Sequence, residues 1–188
     1  MQKKILITGG SGLLAVNWAL SIRSNYKVTL LLHQKIISIK GVDTDIASLD
    51  SVDECSLMLE KHQPDVVIHT AGLTDVDKCE SSFDLAKEVN VDITRNLAEA
   101  CKNHSIKLVH ISTDHLFSGE QEFATEESSP KPLNTYAKTK LQSEQEVLKK
   151  CKDSLVIRTN FFGWGPKYRQ SFSDYILSNL RNDVSIIL

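Results

Sequence analysis

The first twenty residues limit the possible folds more than any other part of the chain. Residues 3–8 form a short apolar run, which is typical of a buried parallel strand. Gly9, Gly10 and Gly12 follow at once, and residues 13–20 have the composition of a helix. A strand, a glycine turn and a helix in this order form the context of a dinucleotide-binding fingerprint. A plain glycine turn without a ligand is the alternative.

The glycines suit a pyrophosphate because they allow a sharp turn and a close approach of the backbone. The helix that follows offers unpaired N–H groups and the positive end of its dipole to an anion. The spacing is Gly-Gly-x-Gly-x-x-Ala, with Ala15 at the position where a third small residue lets helix and strand pack closely.

Strand-like and helical segments alternate along the rest of the chain. Further strands are predicted at residues 26–32, 36–42, 65–69, 106–112, 154–158 and 184–188, and further helices at residues 49–62, 81–103, 136–150 and 172–180. This alternation predicts an α/β fold, a doubly wound parallel sheet (Rossmann fold) with helices on both faces. The 188 residues contain no linker, so we expect one NAD(P)-binding domain over residues 1–188.

Composition argues against several classes of partner. The net charge is −2 and no basic run interleaves with aromatic residues, so we expect neither nucleic acid nor a membrane as partner. No signal peptide or membrane span is recognisable, and the four scattered cysteines suit reduced thiols, so a cytoplasmic location is predicted. The histidines lack metal-ligand spacing, so no metal site is expected. His69 and His110 lie in apolar strand patterns, where packing is the expected role.

Polar and small residues follow four of the predicted strands. They are the glycine turn, residues 70–74, residues 112–115 and residues 158–165, which include Asn160. In a doubly wound sheet, ligands bind beyond the carboxyl ends of the strands. We therefore expect the functional site at this edge, with simple hydration or helix capping as the alternative for these groups.

The end of the second strand bears on the choice of cofactor. About 20 residues beyond the glycines, a carboxylate would bind the ribose 2′-hydroxyl of NAD. The chain has His33 and Lys35 there instead, which could face a 2′-phosphate, and this favours NADP(H) over NAD(H). The alternative is that both are ordinary loop residues. Asp45 and Ile46 are candidates for contact with the adenine, and Asp45 is alternatively a helix cap.

Tyr136 and Lys140 are four residues apart, on one face of a predicted helix. A fixed ammonium near a phenol favours the phenolate and so lowers the pKa of the tyrosine. Such a tyrosine can transfer a proton to a developing alkoxide near neutral pH. The spacing alone is weak, because it also occurs on ordinary solvated helix faces.

Together these segments resemble the extended short-chain dehydrogenase/reductase family, and within it the branch of the dTDP-4-dehydrorhamnose reductases. The resemblance runs from the glycine turn to Asn160, and it includes residues 74–80, 90–97 and 111–119. It implies NAD(P)H-dependent reduction of a 4-keto sugar nucleotide in deoxysugar and polysaccharide biosynthesis. The substrate would be a nucleotide sugar, and a homodimer through the helices at 81–103 and 136–150 is a further expectation.

The resemblance also implies roles for individual residues. Thr113 stands at the position of the catalytic Ser or Thr, and Tyr136 at that of the general acid. Lys140 would lower the pKa of Tyr136 and hold the nicotinamide ribose, and Asn90 would support Lys140 through water. Other matching residues would border the pyrophosphate (Gly9, Gly12 and Leu13), line the cofactor face (Ala71 and Gly72) or lie near the substrate (Ser112, Asp114 and Asn160).

Three departures from the family pattern leave alternatives open. Ala15 replaces a glycine, and His115 replaces the tyrosine usual in the branch. The chain stops within the apolar run at residues 184–188, so we expect that a C-terminal substrate-binding region is missing. A nucleotide-sugar epimerase or dehydratase, or a non-catalytic NADP-binding regulatory subunit, are the competing interpretations.

Overall fold

Six parallel strands form a single sheet in the computed structural model, which describes residues 2–120, 122–166, 168 and 170–182. The strands are β1 (Lys4–Thr8), β2 (Lys27–Leu32), β3 (Asp43–Ile46), β4 (Val66–His69), β5 (Lys107–Ser112) and β6 (Leu155–Arg158). Their order in the sheet is β3-β2-β1-β4-β5-β6. The chain order therefore reverses between β1 and β4, which is where doubly wound sheets open a crevice for ligands. The predicted fold class is confirmed.

The register aligns the carboxyl ends of the strands along one edge of the sheet. Thr8 is paired with Leu31 on one side and with His69 on the other, and His69 is paired with His110. Ser112 at the end of β5 is paired with Arg158 at the end of β6. The four polar segments that follow these strands therefore lie next to one another.

Helices cover both faces of the sheet. They are α1 (Leu13–Ile22), α2 (Val52–His62), α3 (Val76–Ser81), α4 (Phe83–Lys87), α5 (Ile93–Asn103), α6 (Thr135–Lys150) and α7 (Phe172–Arg181). Ala15 and Ala19 of α1 pack on one face of the sheet. Residues of α2, α5 and α6 pack on the other face, where they form a second core with the alternate side chains of the strands. No helix among the described residues has the length and apolar character needed to cross a membrane.

The predicted third strand at residues 36–42 is wrong. These residues form a loop, in which an isolated antiparallel bridge joins Ile39 and Val42, and the strand is the polar segment Asp43–Ile46. β3 is an edge strand and pairs only with β2, so it needs little apolar surface. Ile37, Ile39 and Val42, which suggested a strand, are partly buried against the core on the side of the sheet that α1 covers.

The predicted helix at residues 81–103 is interrupted twice. Ser82 has φ −143° and separates α3 from α4, and a π-helical turn over Glu88–Asp92 separates α4 from α5. Phe83 and Leu85 of the short helix α4 are exposed. Asn90 lies within this π-helical turn. The predicted seventh strand at 184–188 lies outside the described residues.

Two leucines of α2 allow a matched test of this packing. Leu59 is 1% exposed in the core between α2 and the sheet, whereas Leu57 is 66% exposed. We expect Leu59→Ala to lower the free energy of unfolding by about 2–5 kcal/mol, because the truncation leaves a cavity. Leu57→Ala should change it by no more than about 0.5 kcal/mol. Urea unfolding measures both, and equal losses would contradict the assigned packing of α2.

Candidate functional site

The glycine turn after β1 presses against the ends of both neighbouring strands. Gly9 has φ +64°, and a Cβ at this residue would lie 2.8 Å from the Cα of Ala71. Gly10 donates its N–H to the carbonyl of Leu31 at 2.9 Å. A side chain at either glycine would separate the turn from β2 or β4. The predicted residues Gly9 and Ala71 are thus in direct contact.

The N-terminus of α1 opens from the same turn. Gly12 is the N-cap residue, and no side chain caps the first N–H groups of the helix, which begins at Leu13. These N–H groups and the helix dipole suit a phosphate. A Cβ at Gly12 would lie 3.1 Å from the carbonyl oxygen of Gly9, so the turn is tight at this position. The residues present therefore fit the pyrophosphate of a dinucleotide.

Asn90 holds the loop after β4 against α6. Its Oδ1 accepts from the N–H of Leu73 at 2.7 Å, and its Nδ2 donates to the carbonyl of Leu73 and to Oγ1 of Thr139. Gly72 lies directly beside it, since a Cβ there would lie 3.0 Å from Oδ1 of Asn90. Asn90 is therefore next to the chain segment that carries Lys140. Its support of Lys140 through water stays a prediction.

Thr113 and Tyr136 meet where β5 ends and α6 begins. The two side chains are neighbours, and the hydroxyl of Thr113 acts to lower the pKa of Tyr136. Oγ1 of Thr113 also accepts from the N–H of His115 at 3.2 Å. The ring of His115 lies edge-on to Tyr136, with 5.8 Å between the ring centroids. The two hydroxyl groups can therefore address the same substrate atom.

The expected lowering of the Tyr136 pKa by Lys140 is wrong for this structure. Burial raises the pKa of Tyr136 above its usual value, and the nearby hydroxyl of Thr113 opposes that shift. Nζ of Lys140 donates instead to the carbonyl of Ile111 at 2.7 Å and lies 3.3 Å from Nε2 of His110. The spacing of four residues correctly predicted that Tyr136 and Lys140 lie on one helix, but the ammonium of Lys140 contacts residues of β5.

Lys140 is an ammonium in the protein core. Lys140 is itself buried, and burial lowers its pKa to about 8. The charge of the nearby Glu144 acts in the opposite direction and raises the pKa of Lys140. Glu144 in turn accepts the Nε–H of Arg158, shared between its two carboxylate oxygens, and an N–H of Nη2. This carboxylate is therefore already engaged by a guanidinium, and Lys140 depends on neutral acceptors.

Two histidines are buried beneath the site. His69 and His110 are fully buried on adjacent strands, with their rings stacked at 5.4 Å between centroids, so the packing role expected of them is confirmed. Burial lowers the pKa of His69 to about 3 and that of His110 well below its usual value. Both rings are therefore neutral at physiological pH.

The predicted substrate residues lie at the ends of β5 and β6. Ser112 is buried, and its Oγ has no hydrogen-bond partner among the described residues. Asp114 and Asn160 are exposed on the same edge. The aromatic segment that follows is also exposed, with Phe162 at 88% and Trp164 at 60%, so core packing of these side chains is excluded.

His33 and Lys35 follow β2 directly and are exposed, as the sequence predicted. Nζ of Lys35 lies 5.2 Å from the centroid of the Tyr168 ring. The Tyr168 hydroxyl donates to the carbonyl of Ser11 in the glycine turn at 2.6 Å. Tyr168 therefore connects Lys35 to the glycine turn, a contact for which the sequence carries no signal because 157 residues separate Ser11 and Tyr168.

The carboxylate of Asp45 faces α2. It accepts from Nζ of Lys61 at 2.7 Å and bonds Nε2 of His62 at 2.7 Å, and these contacts lower its pKa, with the hydrogen bond from Lys61 as the largest cause. The alternative role as a helix cap is wrong, because Ser51 caps α2. Contact of Asp45 with an adenine stays a prediction. Ile46 is exposed at the end of β3.

Glu80 is a site residue for which the sequence analysis assigned no role. Its carboxylate accepts from the N–H of Thr135 at 2.5 Å and from its hydroxyl at 2.8 Å. Thr135 precedes Tyr136, so Glu80 fixes the first turn of α6. Because 55 residues separate the partners, spacing could not reveal the contact.

The buried histidines make stability depend on pH. Unfolded histidine has a pKa of about 6.5. Below that pH the unfolded chain binds protons that folded His69 does not bind until about pH 3. The free energy of unfolding therefore decreases as the pH is lowered through this window. We expect a loss of up to about 1.4 kcal/mol per pH unit for each buried histidine.

Urea unfolding between pH 7 and 5 measures this dependence. His69→Gln should make the slope shallower, whereas His33→Gln, at an exposed position, should leave it unchanged. A His69→Gln variant with the full slope would contradict the neutral burial of this ring.

Comparisons with known proteins agree with this geometry. The family described as RmlD substrate binding domain matches residues 3–186. The dTDP-4-keto-6-deoxy-D-glucose reductase of Streptomyces niveus is 31% identical over 85% of this chain and 52% of its own length. The methionine adenosyltransferase 2 subunit beta of Mus musculus is 31% identical over 84% of this chain and 46% of its own. This chain thus spans about half the length of these curated relatives.

A solved structure gives the same result for the whole chain. The dTDP-4-dehydrorhamnose reductase of Bacillus anthracis, solved in complex with NADP, is 26% identical, with a TM-score of 0.81 over 100% of this chain and 62% of that one. The family match covers residues 3–186, and the six-stranded sheet agrees with it. The chain therefore belongs to the RmlD substrate binding domain family.

Proposed function

We propose that this chain is the cofactor-binding part of an NAD(P)H-dependent reductase that acts on a 4-keto sugar nucleotide in deoxysugar and polysaccharide biosynthesis. One observation carries the proposal. The hydroxyl groups of Thr113 and Tyr136 meet at the same sheet edge as the tight glycine turn. The reductases of Streptomyces niveus and Bacillus anthracis support it through their sequence and fold.

The residues of the chain supply orientation and a proton. A bound nicotinamide supplies the hydride for the 4-keto carbon. Thr113 and Tyr136 donate hydrogen bonds to the carbonyl oxygen, where negative charge grows. Tyr136 is protonated at neutral pH, since burial raises its pKa above its usual value, and we assign it the role of general acid. Lys140, mostly charged below its pKa of about 8, would hold the nicotinamide ribose.

Tyr136→Phe tests the assignment of the general acid. We expect turnover of a dTDP-4-keto-6-deoxy sugar to fall at least about 100-fold, because the proton donor is lost. The affinity for NADPH should barely change. Turnover is measured in a protein with the full length of the curated relatives, with Tyr26→Phe, remote from the site, as the control. Near-normal turnover of Tyr136→Phe would exclude the mechanism.

We also propose that NADP(H) is preferred over NAD(H). Lys35 and His33 stand after β2 where an NAD site has a carboxylate, and the Bacillus anthracis relative was solved with NADP. The Tyr168 ring lies beside the Lys35 ammonium and limits its range of positions.

Calorimetric titration of this chain measures the preference. NADPH should bind more tightly than NADH, and Lys35→Ala should weaken NADPH binding about 10-fold or more while leaving NADH binding unchanged, as expected for a charge-assisted phosphate contact. Lys27→Ala, at the opposite edge of the sheet, is the control. Equal affinities for the two cofactors would refute the preference.

A non-catalytic NADP-binding regulatory subunit is the second candidate. The likeness to a methionine adenosyltransferase subunit favours it. Binding of NADPH with no turnover of any 4-keto sugar nucleotide would support this role over the reductase. A homodimer through α5 and α6 stays a prediction. These two helices pack against each other within the chain, and light scattering would measure the oligomeric state.

A further inference from the structure

The ammonium of Lys140 depends on two neutral acceptors of β5. Its Nζ lies 2.7 Å from the carbonyl oxygen of Ile111 and 3.3 Å from Nε2 of His110. Lys140 is 5% exposed and His110 is fully buried, so little water can replace either contact. Each acceptor therefore contributes strongly to keeping the proton on the amine.

The neighbouring histidine has one defined tautomer. The hydroxyl of Thr94 donates to the carbonyl of Asn90 at 2.7 Å, so it must accept from Nε2–H of His69 at 3.0 Å. Nδ1 of His69 then accepts from the hydroxyl of Thr8 at 2.7 Å. Both ring nitrogens of His69 are satisfied, and neither contacts Lys140.

His110 has no such arrangement, because two groups compete for one nitrogen. The hydroxyl of Ser143 donates to the carbonyl of Lys140 at 2.7 Å, so its contact with Nε2 of His110 at 3.0 Å requires a proton on Nε2. The contact of a charged Lys140 with His110 requires a lone pair on the same nitrogen. The tautomer of His110 and the protonation of Lys140 are therefore coupled.

We propose that His110 is the positioning residue of Lys140, and that its Nε2 lone pair holds the lysine in the charged form at the catalytic edge. This inference rests on the function proposed above, in which Lys140 serves as a charge. Ser143 acts as the competitor, because it favours the tautomer that cannot accept from the ammonium.

His110 acts through the lysine and does not carry protons away from it. Nδ1 of His110 has no hydrogen-bond partner among the described residues, so a proton arriving at Nε2 has no onward acceptor on the far side of the ring. Burial and the Lys140 charge also hold the pKa of His110 well below its usual value, which disfavours an imidazolium.

The other titratable groups near Lys140 each have a defined partner or are neutral. Glu144 raises the Lys140 pKa and is bonded by Arg158 of β6. Tyr136, on the same helix, neighbours the hydroxyl of Thr113. His69 on β4 is neutral. His110 is thus the group whose exchange changes the hydrogen bonding of the ammonium without changing a charge.

The test is an NMR titration of the 13Cε resonance of Lys140 in lysine-labelled protein, assigned with Lys140→Arg. His110→Phe should move the midpoint down by about one pH unit, the size expected of a lost hydrogen bond to a charged group. His110→Gln, whose amide oxygen can stand in for Nε2, should restore most of the shift. His69→Phe, the matched buried histidine, should leave the midpoint unchanged.

Ser143→Ala gives an independent result in the opposite direction. Removing the competitor should raise the Lys140 midpoint, and alanine is favourable in a helix, so folding is preserved. An unchanged midpoint in folded His110→Phe, or an unchanged or lower one in Ser143→Ala, would overturn the proposal. If His110→Phe does not fold, Ser143→Ala decides.

The titration needs neither cofactor nor substrate, so it separates this inference from the proposed function. NADPH binding by His110→Phe and the unmodified chain at pH 6.5 and pH 9 adds a second readout. A greater loss of affinity at pH 9 in the variant is expected. Failure of the unmodified chain to bind NADPH at all would reject the proposed function, while the NMR result would still judge the role of His110.

Discussion

The close approach between the turn after β1 and the ends of its two neighbouring strands determines the geometry of the whole site. Gly9 touches the backbone of Ala71, and Gly10 bonds the carbonyl of Leu31. These contacts exclude side chains at Gly9 and Gly10, and no side chain caps the first N–H groups of α1. The same contacts bring β4, and through it β5 and α6, to the edge where an anion would bind.

The second requirement is polar chemistry inside the core. Lys140, His110 and His69 are buried together. Lys140 donates to the carbonyl of Ile111 and lies next to Nε2 of His110, whereas His69 bonds the hydroxyl groups of Thr8 on β1 and Thr94 on α5. Such groups are costly to bury, so their positions are narrowly defined by the partners they have. A fixed position suits a lysine whose charge must stay at one place while Tyr136 and Thr113 act on a substrate.

Much of the fold was predictable because apolar strands and amphipathic helices have different periods. Buried strands such as β1 and β5 read directly as apolar runs. β3 did not, since an edge strand of Asp43–Ile46 needs few apolar residues. The break at Ser82 and the π-turn at Asn90 were also hard to place, because they depend on packing and on hydrogen bonds to the distant Leu73.

The sequence by itself determined the alternating architecture, the glycine turn and the placement of Thr113, Tyr136 and Lys140 near one sheet edge. Strand polarity is enough for Thr113, because parallel strands end at the same edge, whereas the family resemblance brought Tyr136 and Lys140 to that edge. Only the tertiary structure decided what these groups contact. Lys140 turns to Ile111 and His110 and away from the phenol of Tyr136, and Glu80 fixes the start of α6. The physical reason is that hydrogen bonds between segments far apart in the chain depend on how the helices pack on the sheet, which no periodic pattern records.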